Sequence, residues 1–367
     1  MKRNSFLYFI LGTLFLLVVS ALAEPRAESR GVWVEFLSRS WGRVDQVQVD
    51  EMVQVLADNH FNMILPLTRE YTGGVLYKSK YAYASQPELL KELVRAAHQH
   101  KMQVHAWMPV LIAGFNLPDK KLLDHPSWAV VNKQGKSCLQ EPINGNYWWY
   151  DPSNPEVREY LTNLVREIAL QKVDGINLDW LRINDEWTYS STFRSGFKSK
   201  YGIDPLEITT AEQRETWHQY RVEVVTSLSR QLRDTAKSVN PRIKVSAAVA
   251  PNPVECKRDR FQDWLQWAEF LDFIYPMLYR APDASMVTQS KSIIAQCKCP
   301  VYIGLGGDEG VNLSASGWVD LIKLVRTSGA KGFSIYRYEP PDRSSYLNQS
   351  DLEVLRFTVL TKPARIP

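Results

Sequence analysis

The segment DPSNPEVREYLTNLVREIALQKVDGINLDW, residues 151–180, contains a helix pattern followed directly by a strand pattern. Apolar residues recur every three or four positions from Pro155 to Gln171, as on the buried face of an amphipathic helix, and Pro155 suits the first helical turn. Residues 175–181 are short and almost continuously apolar, which is typical of a parallel strand buried on both faces. The segment therefore predicts one α/β unit.

The same alternation of strand and helix continues in both directions along the chain. Strands are predicted at residues 31–36, 62–67, 103–109, 175–181, 244–250, 272–278, 301–305 and 332–336. Helices are predicted at residues 50–59, 87–101, 155–171, 214–239, 261–270, 285–297 and 316–328. Eight such units favour an α/β fold in which one domain forms a closed (β/α)8 TIM barrel, and 367 residues fit that size. Catalytic groups are then expected where the strands end.

The first residues are predicted to be an export leader. Lys2 and Arg3 precede an uncharged apolar run, and Ala21-Leu22-Ala23 is a small-x-small cleavage site. We therefore expect a signal peptide at residues 1–23, a barrel domain at residues 24–367, and a periplasmic or extracellular protein. The alternative is an uncleaved leader, which would associate the chain with a membrane because the run is about long enough to span a bilayer.

Four cysteines, Cys138, Cys256, Cys297 and Cys299, allow one or two disulfides in an oxidising compartment. The barrel pattern assigns Cys138 and Cys256 to loops on the active face and the other two to the opposite end. A long-range disulfide, if the chain forms one, is expected between Cys138 and Cys256.

The fourth strand carries the sharpest candidate for chemistry. Asp174 opens it and Asp179 closes it, and Asn177 shares a face with Asp179 because side chains alternate along a strand. Asp174 is expected to cap the turn into the strand, whereas Asp179 is expected on the active face beside Trp180. The alternatives for Asp179 are a salt bridge to Arg182 and a cap on the next helix.

Several motifs in fixed order carry a family resemblance. They are residues 30–33 (RGVW), 61–62 (FN), 76–80 (LYKSK), 105–107 (HAW), 151–158 (DPSNPEVR), 173–179 (VDGINLD) and 275–279 (YPMLY). Together they resemble the glycosyl-hydrolase-like family 10 domain, once called DUF187, across nearly all of the chain after the leader. The resemblance implies a barrel that acts on bacterial glycans, in some members on peptidoglycan strands stripped of peptide. The chain departs from the family pattern at Trp180, where an acidic residue is frequent, and in the segment 69–74.

Glycosidic cleavage normally needs two carboxyl groups, and Asp179 can supply one as nucleophile or general base. Candidates for the acid follow other strands: Glu35, Glu70, Asp308, Glu309 and Glu339. Glu339 and Glu70 are preferred because each lies a short step past its strand, and the resemblance also implies an acidic residue near Glu339.

Further residues are predicted to line the same face and bind substrate. They are Trp33, Arg69, His105, Trp107, Asn177, Trp180, Tyr279, Tyr336 and Arg337, with Arg182 and Arg280 beside them. Trp107 and Trp180 are the best candidates for stacking on sugar rings. An arginine there could pair with a carboxylate of muramic acid or keep a catalytic carboxyl ionised.

Other functions are disfavoured. A net charge of +4 without a dense Lys/Arg run is not typical of a nucleic-acid binder. No His-Glu-x-x-His, Walker loop or Gly-x-Ser-x-Gly motif is present, so no metal or other cofactor is expected. The sequence predicts a glycoside hydrolase with an oligosaccharide or polysaccharide substrate. The alternative is a non-catalytic glycan-binding barrel, which the departures at Trp180 and in the segment 69–74 favour.

Overall fold

The structure of the protein is a computed structural model, and it is described for residues 27–36, 43–306, 313–338 and 347–367. Eight parallel strands close into a barrel in the order β1-β11-β10-β9-β8-β7-β3-β2. Their bounds are β1 Ser29–Val34, β2 Met63–Pro66, β3 Gln103–Pro109, β7 Gly175–Asp179, β8 Lys244–Val249, β9 Phe273–Tyr279, β10 Tyr302–Gly306 and β11 Gly332–Tyr338. All eight predicted strands are confirmed, and so is the (β/α)8 fold class.

Helices surround the barrel. The larger ones are α1 Gln46–Asp58, α2 Leu89–Gln99, α4 Pro155–Leu170, α5 Ser191–Tyr201, α6 Ala211–Val239, α9 Ser285–Gln296, α10 Ala315–Ser328 and α11 Gln349–Thr358. α4 begins as expected: Asn154 accepts a hydrogen bond from the backbone N–H of Glu156 at 2.9 Å, and Pro155 occupies the first turn. Within the described parts of the chain, no helix combines the length and the apolarity needed to cross a membrane.

One predicted helix, at residues 261–270, is wrong in its bounds. The chain forms α7 Pro253–Arg260 and the short α8 Trp264–Trp267 instead. Asn252 caps α7 by accepting from two backbone N–H groups, and Phe261 ends it in the left-handed region at φ 57°. Capping chemistry therefore outweighed the apolar pattern that favoured a later start.

The connection between β3 and β7 contains structure that the sequence patterns did not predict. Strands β4 Ile112–Phe115, β5 Leu117–Pro118 and β6 Tyr147–Trp149 form a small antiparallel sheet, and α3 Lys120–Asp124 follows β5. Because β4 begins shortly after β3 ends, this sheet lies at the C-terminal end of the barrel strands.

Two apolar clusters hold the fold together. The larger lies between the barrel and its helices. The smaller fills the barrel interior and is strongly aromatic, with Trp33, Trp107, Phe273, Tyr275 and Tyr302 among its members. Large buried rings make the barrel a packed core and not a pore, as in other barrels of this type, so ligands have access only at its ends.

The four cysteines are free. The predicted bridge between Cys138 and Cys256 is wrong, because each thiol lies buried against its own loop. The Cys138 Sγ is 3.6 Å from the carbonyl oxygen of Trp149, and the Cys256 Sγ is 3.2 Å from that of Ala250. The Cys297 and Cys299 sulfurs lie 3.6 Å apart without a bond.

Candidate active site

Asp179 is the last residue of β7 and lies in register with Pro109, the last residue of β3. Its side chain is held from two sides. The indole N–H of Trp107 donates to Oδ2 at 2.9 Å, and the backbone N–H of Trp180 donates to Oδ1 at 2.6 Å. Asp179 is only 7% exposed. Burial raises its pKa above the ordinary value, although the charge of Arg182 and the two N–H donors act in the opposite direction.

A cleft of about 380 Å³ opens above this carboxyl group. It is lined by Tyr71, Trp107, Asp179, Trp180, Arg182, Ala250, Pro251, Arg260, Met277, Tyr279 and Tyr336. A second hollow of about 360 Å³ adjoins it and shares three of these side chains, Trp180, Arg182 and Arg260. Each hollow is within the size range of small-molecule sites, and the two adjoining hollows together are called the groove below.

Aromatic rings form the walls of the cleft. Tyr279 and Tyr336 stack with ring centroids 5.3 Å apart, Trp107 meets Tyr336 edge to face at 5.9 Å, and Tyr71 meets Trp180 in the same way at 6.2 Å. Burial raises the pKa of Tyr71 and Tyr279 well above the usual value, and the neighbouring carboxylates add to the effect. Both phenols therefore stay protonated and can donate hydrogen bonds. Rings with polar tips suit the apolar faces and hydroxyl groups of sugars.

Glu35 supports this wall from behind. Its carboxylate forms an ion pair with Arg337 at 2.7 Å and accepts hydrogen bonds from the hydroxyls of Tyr336 at 3.0 Å and Tyr71 at 3.3 Å. Glu35 is only 5% exposed and is not among the residues that line the cleft. Glu35 is therefore linked to the cleft through Tyr71 and Tyr336, which line it.

Of the other predicted partners, Glu70 belongs to the described residues. The Glu70 carboxylate lies over the α-carbon of Gly74, beside Ser85, and does not line the cleft. Burial raises the pKa of Glu70, partly offset by a hydrogen bond from Ser85. Asp308, Glu309 and Glu339 lie outside the described residues.

Two predicted substrate-binding residues lie one layer deeper than the cleft floor. The indole N–H of Trp33 donates to Asn177 Oδ1 at 3.3 Å, and the Asn177 amide donates to Ser246 at 3.0 Å. Both residues are buried in the barrel interior. Asn177 does share the interior face with Asp179, as alternation required. At their depth in the barrel, however, Trp33 and Asn177 do not reach the cleft.

Arg69 is also fully buried and has a local structural task. Its guanidinium donates to the carbonyl oxygens of Pro109 at 3.1 Å and Ile112 at 2.9 Å, and forms an ion pair with Asp119 at 2.7 Å. These contacts fix the turn that leaves β3. The geometry does not present Arg69 to the cleft.

His105 lies at the opposite end of the barrel, which corrects its predicted place on the active face. It is the third residue of β3, in register with Gly175 at the start of β7. Its Nε2 pairs with Gln103 at 3.0 Å and its ring contacts Phe273, while burial lowers its pKa to about 4. A strand of seven residues brings only its last part to the active face.

The remaining predicted residues surround the cleft or its rim. Trp107, Trp180, Tyr279 and Tyr336 line it, whereas Arg337 is paired with Glu35 behind it. Trp107 presents its N–H to Asp179, and the Arg182 guanidinium covers a face of Trp180 at 4.2 Å. Arg280 is turned toward Asp283 and Ser285. Tyr71 and Arg260 also line the cleft and were not predicted from the sequence, although Tyr71 obeys the rule that residues shortly after a strand reach the site.

The chain is similar in sequence to proteins described as glycosyl hydrolases and similar in fold to solved glycoside hydrolases. Residues 28–306 match the family described as Glycosyl hydrolase-like 10. Glycosyl hydrolase DigH of Escherichia coli strain K12 is 23% identical over 314 residues, covering 76% of this chain and 60% of that protein. The chain thus spans about 60% of the length of the curated relatives it matches.

Solved structures share the fold at lower identity. The glycoside hydrolase domain of PgaB (BpsB) from Bordetella bronchiseptica superposes with a TM-score of 0.70 at 15% identity, covering 90% of this chain and 98% of that domain. A β-galactosidase from the psychrophilic Marinomonas ef1 gives a TM-score of 0.66 at 13% identity, covering 91% and 60%. The barrel is therefore one that glycoside hydrolases use. With more than half of its residues matched, the chain belongs to the glycosyl hydrolase-like 10 family.

Proposed function

We propose that this protein is a glycoside hydrolase that cleaves a bacterial cell-envelope or extracellular glycan, such as peptidoglycan strands stripped of peptide. One observation carries the proposal: Asp179 ends the fourth barrel strand as a buried carboxyl group, aimed into an aromatic cleft and held by two N–H donors. Family membership supports a glycan-acting hydrolase in general. The choice of glycan rests on the resemblance to relatives that act on such strands.

We assign Asp179 the role of general acid. A carboxyl group that delivers a proton to a leaving oxygen benefits from a raised pKa, and burial shifts the pKa of Asp179 in that direction. The role predicted from the sequence, nucleophile or general base, is the alternative that the test below distinguishes from this assignment. Tyr71 and Tyr279 remain protonated beside it and can donate hydrogen bonds to sugar hydroxyls.

For the second carboxylate we propose Glu339, which follows the last residue of β11 in the sequence. It would attack the sugar or activate water opposite the leaving group. Glu35 is assigned a positioning role because Arg337, Tyr336 and Tyr71 engage its carboxylate behind the cleft wall. Glu70 is not retained as the acid, since its carboxylate turns toward Ser85 and Gly74.

The test compares Asp179→Asn with the wild type on peptide-free peptidoglycan strands, with products identified by mass. Loss of a general acid lowers the rate by about 10²- to 10⁴-fold. A glycoside with a dinitrophenyl leaving group needs little protonation, so the variant should cleave it at a rate much closer to that of the wild type. The exposed carboxyl Asp124 on α3 provides the control, and Asp124→Asn should retain full activity.

Each other outcome contradicts a defined part of the proposal. Equal losses on both substrates would make Asp179 the nucleophile or base instead of the acid. Unchanged activity in Asp179→Asn would remove it from the chemistry. A wild-type protein that binds the strands without releasing products would be a non-catalytic glycan-binding barrel.

We also propose that the chain is exported. The apolar run and the Ala-x-Ala site at residues 21–23 support a cleaved leader, and residues 1–26 lie outside the described part of the structure. N-terminal sequencing of the protein recovered from cells checks this, because cleavage predicts a chain that begins at Glu24.

A further inference from the structure

Two arginines stand on the wall that the two hollows of the groove share. Arg182 is half-buried and Arg260 is exposed, and both line the cleft above Asp179 and the adjoining hollow. Within the described ranges, neither guanidinium forms an ion pair or a hydrogen bond with another side chain. Most other buried or half-buried arginines named above, such as Arg69 and Arg337, have a carboxylate partner.

Among the described residues, the carboxyl groups near this positive charge already have other hydrogen-bond partners. Asp259 lines the second hollow, but both of its oxygens are taken by Arg258, at 2.6 and 2.7 Å. Asp179 is a further carboxyl group of the described residues near Arg182, and its two oxygens already accept hydrogen bonds from Trp107 and from the backbone N–H of Trp180. Burial lowers the pKa of Arg182, and the charge of Arg260 adds to that shift while Asp179 opposes it. Two like charges are thus kept together at a cost in free energy.

The Arg182 guanidinium is also held in place. It lies 4.2 Å from the ring centre of Trp180, a side chain that itself borders both hollows. Stacking on an aromatic face restricts the planar group while leaving its N–H donors free at the edge. A fixed guanidinium with free donors is suited to bidentate recognition of a carboxylate.

We propose that Arg182 and Arg260 form an anion subsite that binds a carboxylate carried by the sugar next to the one held at Asp179. This inference rests on the proposed function and deepens it by naming the chemical feature of the glycan that the groove reads. A lactyl ether carboxylate, as on N-acetylmuramic acid, has this chemistry. A neutral sugar would leave both guanidiniums unpaired and partly desolvated, which disfavours it.

The experiment measures binding, so that it does not depend on turnover. Full-length mature protein carrying Asp179→Asn is titrated with a tetrasaccharide of alternating N-acetylglucosamine and N-acetylmuramic acid. A tetrasaccharide of N-acetylglucosamine alone, and the first ligand with its carboxylates amidated, serve as neutral counterparts. Arg182→Gln and Arg260→Gln are each expected to weaken binding of the acidic ligand by about 10- to 100-fold and to leave both neutral ligands unchanged.

Arg242 supplies the matched control. It is an exposed arginine before β8, at the opposite end of the barrel, so Arg242→Gln removes the same charge far from the groove. Binding should be unchanged in this variant. Arg182→Lys keeps the charge but loses the planar fork and should show an intermediate loss. The preference of the unaltered groove for the acidic ligand should also shrink as ionic strength rises.

The possible results separate this inference from the proposed function. Equal weakening of acidic and neutral ligands would mean that the arginines only shape the groove, and the inference would fail. Equal affinity of the unaltered groove for acidic and amidated ligands would overturn it even if the wild type hydrolyses glycans. Selective, arginine-dependent binding with no hydrolysis by the wild type would instead uphold the subsite and overturn the enzymatic function.

Discussion

The two ends of the barrel treat their buried charges differently. At the N-terminal end, Glu28 forms ion pairs with Arg30 and Arg326 at 2.7 Å each, and Asp272 accepts from the backbone N–H of Val245 and pairs with lysines. Burial alone would raise the pKa of Glu28 and Asp272, but their partners outweigh it and the pKa of each is lowered. These carboxylates are stable as ions.

At the C-terminal end the pairs Glu35–Arg337 and Arg69–Asp119 are also complete, but Asp179 is an exception. Burial of Asp179 outweighs its two N–H donors and the charge of Arg182, and its pKa is raised. Arg182 has no ion-pair partner among the described residues. The fold thus pairs buried charges at both ends, and leaves Asp179 and Arg182, where the proposed chemistry takes place, without an ion pair among the described residues. Groups that a ligand is to engage are kept available at some cost in stability.

Replacing one carboxyl group by an amide at each end of the barrel should give the largest difference in stability. Glu28→Gln removes the carboxylate that the buried Arg30 and the partly buried Arg326 share, and we expect a loss of about 3–5 kcal/mol in the free energy of unfolding. Asp179→Asn leaves an amide that can accept from only one of the two N–H donors, so we expect a smaller loss of about 1–3 kcal/mol. Urea unfolding of both variants measures this. Equal losses would mean that the two ends do not differ.

The pH dependence of the free energy of unfolding tests the role of His105 at the N-terminal end of the barrel. Its folded pKa of about 4 lies below the ordinary 6.5, so the unfolded chain takes up the proton first as pH falls. The stability that depends on neutral His105 is therefore complete above pH 6.5 and is lost between pH 6.5 and about 4. The shift corresponds to about 3 kcal/mol.

His105→Phe provides the comparison for that series, because it keeps a ring against Phe273 and cannot titrate. As pH falls through this window, the wild type should lose about 3 kcal/mol more than the variant in chemical unfolding. Parallel curves for the two proteins would contradict the assignment of His105 as a neutral core residue.

Much of the fold could be predicted from the sequence because buried parallel strands are short, apolar runs separated by amphipathic helices. All eight strands follow this rule. The small sheet of β4, β5 and β6 does not, since two to four residues per strand give no measurable alternation. α7 was missed for a related reason: its sequence PVECKRDR has almost no apolar face, and only the Asn252-Pro253 start indicates a helix.

Sequence patterns predicted only part of the candidate site. The strand-end rule selected Asp179, Trp107 and Tyr336, all of which border the cleft. Alternation gives the face on which a strand residue lies but not its depth, so Asn177 was grouped with Asp179 although it lies a layer below. The task of Arg69 depends on Asp119, fifty residues later, and no local pattern reveals such a pair.

The smallest expected effect concerns the hydrogen bond that joins Trp107 to Asp179. It tests how far this bond sets the pKa of Asp179. Trp107→Phe removes an N–H that stabilises the ionised carboxylate, so the pKa of Asp179 should rise further, by about one unit or ~1.4 kcal/mol. If Asp179 is the general acid, the alkaline limb of the kcat/KM profile moves to higher pH by that amount. Trp33→Phe is the matched control, because its N–H donates to the amide of Asn177, which does not titrate, and its pH limbs should stay in place. Movement of the acidic limb in Trp107→Phe would indicate that the ionised form of Asp179 does the work, and the contrast between the two ends would then lie in accessibility and not in protonation.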